Sequence, residues 1–119
     1  MSRKMKNCPF CEINQNEVIL FTTKYFVFMS AKTKITPHHH LLISKHHIKS
    51  EIDLNEKIWK DYQCASKIAW NLMKKLSHQE PLIFINPSQM QSVGHFHKHY
   101  VDGIFGIHGV ANALRSRLV

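Results

Sequence analysis

Between Gly94 and Val101 the chain reads GHFHKHYV, with an imidazole at every second position: His95, His97 and His99. On an extended strand alternate side chains share a face and the backbone rises about 3.3 Å per residue, so these rings would line up about 6.6 Å apart. The outer two would stand roughly 13 Å apart at the backbone, too far to serve one small ligand together. Three equivalent roles are thereby excluded, and the middle ring with one neighbour is the natural pair for a phosphate-sized group. A neutral imidazole near pH 7 attacks phosphorus or takes a proton without prior activation, which makes His97 the candidate nucleophile or general base. Ser92 and Asn86, close by in the chain, are polar residues that could accompany it.

The same residue types also suit a metal. His-x-His on a strand chelates zinc when a third ligand arrives from elsewhere, and TPHHHLLISKHH (36–47) supplies five more histidines. Against a catalytic metal, the one carboxylate near the three rings is Asp102, whereas metal-bound histidines generally lean on such partners. Cys8-Pro-Phe-Cys11 has zinc-ligand spacing, and His46 or His47 together with His95 would complete a Cys2His2 set. Two free thiols buried beneath a sheet are the competing reading. Cys64 falls inside a helical segment and reads as core.

The elements that must position these side chains can be placed by pattern. EVILF (17–21) and YFVFM (25–29) are β-branched and aromatic runs separated by a turn, as in a hairpin of buried strands. HLLIS (40–44) reads as a third strand, entered through the loop AKTKITP, whose Pro37 restricts its predecessor and offers no N–H. Asp53 followed by Glu56 resembles a capping box, and Leu54, Ile58, Ala65, Ile68, Ala69, Leu72 and Leu76 recur at helical spacing, predicting a helix over about 54–76. PLIFIN (81–86) is a fourth strand, NPSQMQS a turn-rich loop, and VGHFHKHYV (93–101) a fifth strand. This order is α+β, an antiparallel sheet with one helix packed across it. After Asp102 the glycines 103, 106 and 109 break any strand, while ANALRSRL could form a short helix.

The 119 residues fit a single domain with one hydrophobic core. No window approaches the roughly 18 apolar residues of a membrane helix, and no apolar run follows the basic start MSRKMKNCPF, so neither a membrane protein nor a secreted one is expected. Three cysteines are too few for a disulfide scaffold and point to the cytoplasm. Sixteen Lys and Arg against eight Asp and Glu leave a charge of +8, a field that favours phosphate-bearing ligands. Nucleic acid is compatible with that charge, but the basic residues are scattered and form no continuous track.

Gln91-Ser92-Val93 followed by His95-Phe96-His97-Lys98-His99-Tyr100-Val101 resembles the signature of the histidine-triad (HIT) superfamily. The stretch from Thr36 to Ile48 is similar to that family's TPGH-x-LVIPK-x-HI, and Cys8-x2-Cys11 with Val18 to Met29 resembles its N-terminal segment. The resemblance implies a five-stranded antiparallel sheet with one long helix and a short N-terminal helix, commonly as a homodimer. It further implies a nucleotidyl hydrolase or transferase. His97 would attack the α-phosphorus to form a nucleotidyl-histidine, His99 and His39 would hydrogen-bond phosphate oxygens, and Ser92 would assist the leaving group. Gln91 and Asn86 would lie by the phosphate. In zinc-bearing relatives the ligands correspond to Cys8, Cys11, His47 and His95.

This chain departs from the family pattern at three places. Lys98 stands where an apolar residue is usual, which suggests an exposed edge or a snorkelling lysine. Ala31 stands where an acidic residue commonly binds the ribose, so nucleoside affinity should be poor, with Lys32 and Lys34 meeting extra phosphates instead. Pro87-Ser88-Gln89-Met90 replaces a glycine-rich stretch. The expectation is a nucleotide hydrolase or transferase acting at an α-phosphate. A non-catalytic nucleotide- or partner-binding module and a metal-dependent hydrolase are the alternatives.

Overall fold

The structure is a computed structural model describing residues 8–13, 17–86 and 94–103. Its elements are β1 (Ile19–Thr22), β2 (Phe26–Ser30), β3 (His39–Ser44), a 3-10 turn (Glu51–Asp53), α1 (Glu56–Ser77), β4 (Pro81–Phe84) and β5 (His97–Asp102). The strands form one sheet in the order β1-β2-β3-β5-β4, with every neighbouring pair antiparallel. This is the five-stranded α+β arrangement expected. Among the described residues no helix precedes Glu51, and Cys8 to Cys11 instead close a turn through Cys11 N–H donating to the Cys8 carbonyl at 3.1 Å. The segments holding Ser92 and Gln91, the Pro87–Met90 departure and the glycine-rich end lie outside the described residues.

The sheet separates two apolar clusters, because successive side chains on each strand point to opposite faces. On one face Phe26, Phe28, Leu42, Phe96 and Tyr100 pack with Ile58, Tyr62, Ala65, Ala69 and Met73 of α1. On the other, Val27, Met29, Ala31, Leu41 and Ile43 pack with Phe10 and Ile13 of the N-terminal segment. His97 and His99 belong to this second face, since they stand opposite Ile43 and Leu41 in register.

Several details correct the pattern-based expectations. The cap of α1 is Asn55, whose side chain accepts from Ile58 N–H at 3.0 Å, and Asp53 ends the 3-10 turn before it. The buried stripe runs through positions 58, 62, 65, 69 and 73, so Ile68, Leu76 and Cys64 face outward. β1 is half-exposed rather than buried, because it is an edge of the sheet. β5 begins at His97, which leaves His95 on the approach to the strand. Lys98 is neither at an edge nor snorkelling. It is 7% exposed beneath α1, where its ammonium donates to Ser66 Oγ at 2.8 Å and lies 4.4 Å from the Tyr62 ring centroid. Burial pulls its pKa down to about 8, against the opposing pull of Glu51.

Gly103 answers to packing as well as to turn chemistry. A Cβ there would lie 2.7 Å from the Leu82 backbone nitrogen, so β5 can pass β4 at this point only without a side chain.

Candidate active site

The face opposite α1 carries a cleft of about 450 Å3, within the range of small-ligand pockets. Met29, Ala31 and Leu41 form its apolar floor, Pro9 and Phe10 one wall, and His39, His97 and His99 one end. Register explains the convergence. β3 brings Leu41 opposite His99, and the first residue of β3, His39, stands opposite Val101 two positions further along β5. Three rings from two neighbouring strands thus meet over one floor.

Their hydrogen bonds define an ordered chain. Ile35 N–H donates to His39 Nδ1 at 3.1 Å, which makes that nitrogen an acceptor and places the ring proton of neutral His39 on Nε2. His39 Nε2 lies 2.9 Å from His99 Nδ1, so it donates there and leaves the proton of His99 on its own Nε2. Among the described residues, His99 Nε2 is the buried side-chain polar atom without a hydrogen-bond partner. An unpaired buried donor is costly unless a ligand completes it.

His97 is set the opposite way round. Its Nδ1 donates to the His95 carbonyl at 2.8 Å, so the neutral ring presents a lone pair on Nε2. A lone-pair nitrogen and a proton-bearing nitrogen therefore come from rings whose centroids are 5.0 Å apart. Burial, reinforced by His97 and His39, holds the His99 pKa down at about 4, and burial with Lys34 lowers that of His39. Both rings are neutral at pH 7, as the chain of donors requires.

Two aromatic residues outside the pattern-based set of candidates fix these rings. Phe84 of β4 stacks on His99 with centroids 4.4 Å apart and planes 6° from parallel. Phe10 stands edge-on to His97 at 5.0 Å and to His95 at 5.8 Å. Phe84 could have been found by extending strand alternation across β4 to β5, where it pairs with His99. Phe10 carried a weaker signal, its place between two cysteines.

Behind Phe10, the ligand atoms of Cys8, Cys11, His47 and His95 all lie within 4.8 Å of one another. His95 is fully buried, and its Nε2 donates to the Ser44 carbonyl at 2.6 Å, which turns the Nδ1 lone pair toward the cysteines. That nitrogen is 3.2 Å from His47 Nδ1, 3.4 Å from Cys8 Sγ and 3.6 Å from Cys11 Sγ, while Cys11 Sγ and His47 Nδ1 are 3.0 Å apart. A tetrahedral zinc with Zn–N near 2.0 and Zn–S near 2.3 Å sets ligand–ligand edges of about 3.3 to 3.8 Å, so this donor set fits zinc. His46 is not part of it, since its ring packs edge-on against Tyr25 at 5.3 Å.

Other sequence candidates fall elsewhere. Asp102 accepts from His38 N–H at 2.9 Å and faces the His38 ring at 3.2 Å, which pins the loop delivering His39 but touches none of the three cleft histidines. Asn86 follows the end of β4 and does not line the cleft. Lys34 folds back to donate to the Ala31 carbonyl at 2.9 Å, and Lys32 pairs with Glu17 at 3.0 Å. The two lysines expected to meet additional phosphates thus already have partners.

Comparison with known proteins bears on the family and the fold. The family model described as scavenger mRNA decapping enzyme C-term binding matches residues 6–114. Among solved structures, a HIT family hydrolase from Clostridium thermocellum superposes with a TM-score of 0.72 at 23% identity, covering 84% of this chain and 93% of that one. A HIT family hydrolase from Legionella pneumophila Philadelphia 1 gives 0.70 at 26% identity, with 83% and 95% covered. A Zn-bound histidine triad family protein from Mycobacterium smegmatis gives 0.68 at 22% identity, with 80% and 73% covered. No curated protein sequence matches. With a family model spanning nearly the whole chain and the fold shared with these structures, the protein belongs to the scavenger decapping C-terminal family of the histidine-triad superfamily.

Proposed function

We propose that this chain is a nucleotidyl hydrolase or transferase that cleaves a phosphoramidate, phosphoanhydride or phosphoester at the α-phosphate of a nucleotide. The observation that carries this reading is the pairing of a lone-pair nitrogen on His97 with the unsatisfied donor on His99 at the end of one cleft. The description of the matched family names an mRNA decapping enzyme, which supports a nucleotide as the carrier of the phosphate.

In this mechanism His97 Nε2 attacks the α-phosphorus. The N–P bond forms as the bond to the leaving group breaks, and the leaving group departs with the electron pair and takes a proton from solvent. His99 Nε2–H hydrogen-bonds a non-bridging oxygen as charge gathers on it, and a preorganised donor of this kind contributes a few kcal/mol. His39 acts through His99 by fixing its tautomer. Ser92 and Gln91, the candidates for leaving-group and phosphate contacts, complete the proposed set. Water then attacks phosphorus and releases a proton to solvent, while the N–P bond breaks and returns the lone pair to His97.

Zinc, held by Cys8, Cys11, His47 and His95, would have a structural role. Four protein ligands leave no open position for substrate, which argues against a metal-dependent hydrolase. A homodimer belongs to the same proposal. Among the described residues β4 is a sheet edge, and α1 exposes Ile68 and Leu76. Among them, too, no helix is long and apolar enough to cross a membrane.

The test is release of adenosine 5′-monophosphate from adenosine 5′-phosphoramidate. Turnover by the wild type and its loss in His97→Ala are expected. Saturable nucleotide binding without turnover would make the chain a binding module instead.

A further inference from the structure

β1 and β2 keep pairing beyond their regular ends. Ile19 stands opposite Met29, and Ser30 N–H donates to the Val18 carbonyl at 2.9 Å. Continuing that register sets Glu17 against Ala31. On the other side, Ala31 N–H donates to the His39 carbonyl at 3.0 Å. Glu17, Ala31 and His39 therefore form one row across the sheet, and all three line the cleft. The backbones of Glu17 and His39 stand two strand spacings apart, about 10 Å, and both side chains reach inward over the small methyl of Ala31.

The Glu17 side chain is only 12% exposed, while that of its partner Lys32 is 76% exposed. Such a rim lysine is a weak, solvent-screened partner. A carboxylate has about four lone-pair sites, so one ammonium leaves most of its acceptor capacity unused. A nucleotide whose α-phosphate sits at His97 and His99 finds Ala31 and Met29 lining the same cleft for its remainder. At the far end the Glu17 carboxylate, beside Lys32, offers acceptors to neutral hydroxyl donors.

We infer that Glu17 reads the sugar hydroxyls of the substrate, so that the cleft selects a ribonucleotide over its 2′,3′-dideoxy counterpart. This rests on the nucleotide reading above and runs against the poor sugar recognition expected from Ala31 alone. The acceptor missing on β2 is offered by the residue facing it from the neighbouring strand.

The test titrates wild type and Glu17→Gln calorimetrically with adenosine 5′-monophosphate and its 2′,3′-dideoxy analogue, alongside phosphoramidate turnover. The wild type is expected to bind the ribonucleotide at least about tenfold more tightly, as for hydrogen bonds to a charged acceptor. Glu17→Gln should lose that preference by weakening ribonucleotide binding alone. If the variant instead tightens both nucleotides alike, Glu17 only neutralises Lys32 and the inference is overturned. Equal binding of both nucleotides by a wild type that turns over the phosphoramidate overturns the inference and leaves the hydrolase reading standing, as does a preference that survives in the variant. Glu17-dependent preference without turnover supports the inference and removes the hydrolase reading. Absence of both binding and turnover overturns both.

Discussion

His39 Nε2 lies 2.9 Å from His99 Nδ1, and this contact decides which nitrogen of His99 carries its ring proton. Removing His99 deletes the phosphate donor, whereas removing His39 leaves the donor present but free to change tautomer. His99→Ala should therefore lower kcat by roughly 10² to 10³, the range for one preorganised donor, and His39→Ala by less. Steady-state kinetics of the two variants checks the order. A larger loss in His39→Ala would mean that His39 meets the phosphate itself.

Zinc should be bound near one per chain by protein purified without chelator, as elemental analysis would show. Its site ties the N-terminal turn to His47 and to the approach to β5, so metal binding is folding free energy. Cys8→Ser should lower the melting temperature far more than it lowers phosphate affinity. Metal-free protein with unchanged melting would leave the cysteines as buried thiols.

A pH dependence follows from His40, on the α1 side of the sheet. Its ring stacks on Phe28 with centroids 5.4 Å apart, its Nδ1 is 3.2 Å from Met73 Sδ, and burial, aided by His38, Lys34 and His39, takes its pKa from 6.5 to about 4. The folded state holds the ring neutral while the unfolded chain protonates it first. The stability is thus fully present above pH 6.5 and is lost as pH falls toward 4, by on the order of 3 kcal/mol. Urea melts between pH 7 and 4 should show a steeper fall for wild type than for His40→Leu. Parallel curves would show that His40 does not contribute.

Strand alternation makes one face for His97 and His99 legible in the sequence, because a period of two needs no knowledge of neighbours. The partners across the sheet were not legible. Glu17 faces Ala31, and Phe84 faces His99, only once strand order and register exist. Lys98 misled because a charge in a strand ordinarily marks solvent, whereas two tyrosine rings and Ser66 hold this one beneath a helix. Cys64 departs from the core position expected for it for a different reason. Its helix has an apolar stripe whose phase is set by Tyr62 and Met73, and position 64 falls outside it. The choice of His47 over His46 required the fold as well, since adjacent residues point apart and only one meets Cys11.

The most direct measurement concerns His97 Nε2. Wild-type protein mixed with adenosine 5′-phosphoramidate and quenched in base within the first turnover should show, by intact-protein and peptide mass spectrometry, an adenylyl group on the peptide carrying His97. Fragmentation should place it on that residue, and His97→Ala should neither form the adduct nor release adenosine 5′-monophosphate. Release at an undiminished rate by His97→Ala, or an adduct on a different residue, would contradict the assignment of His97 as the nucleophile.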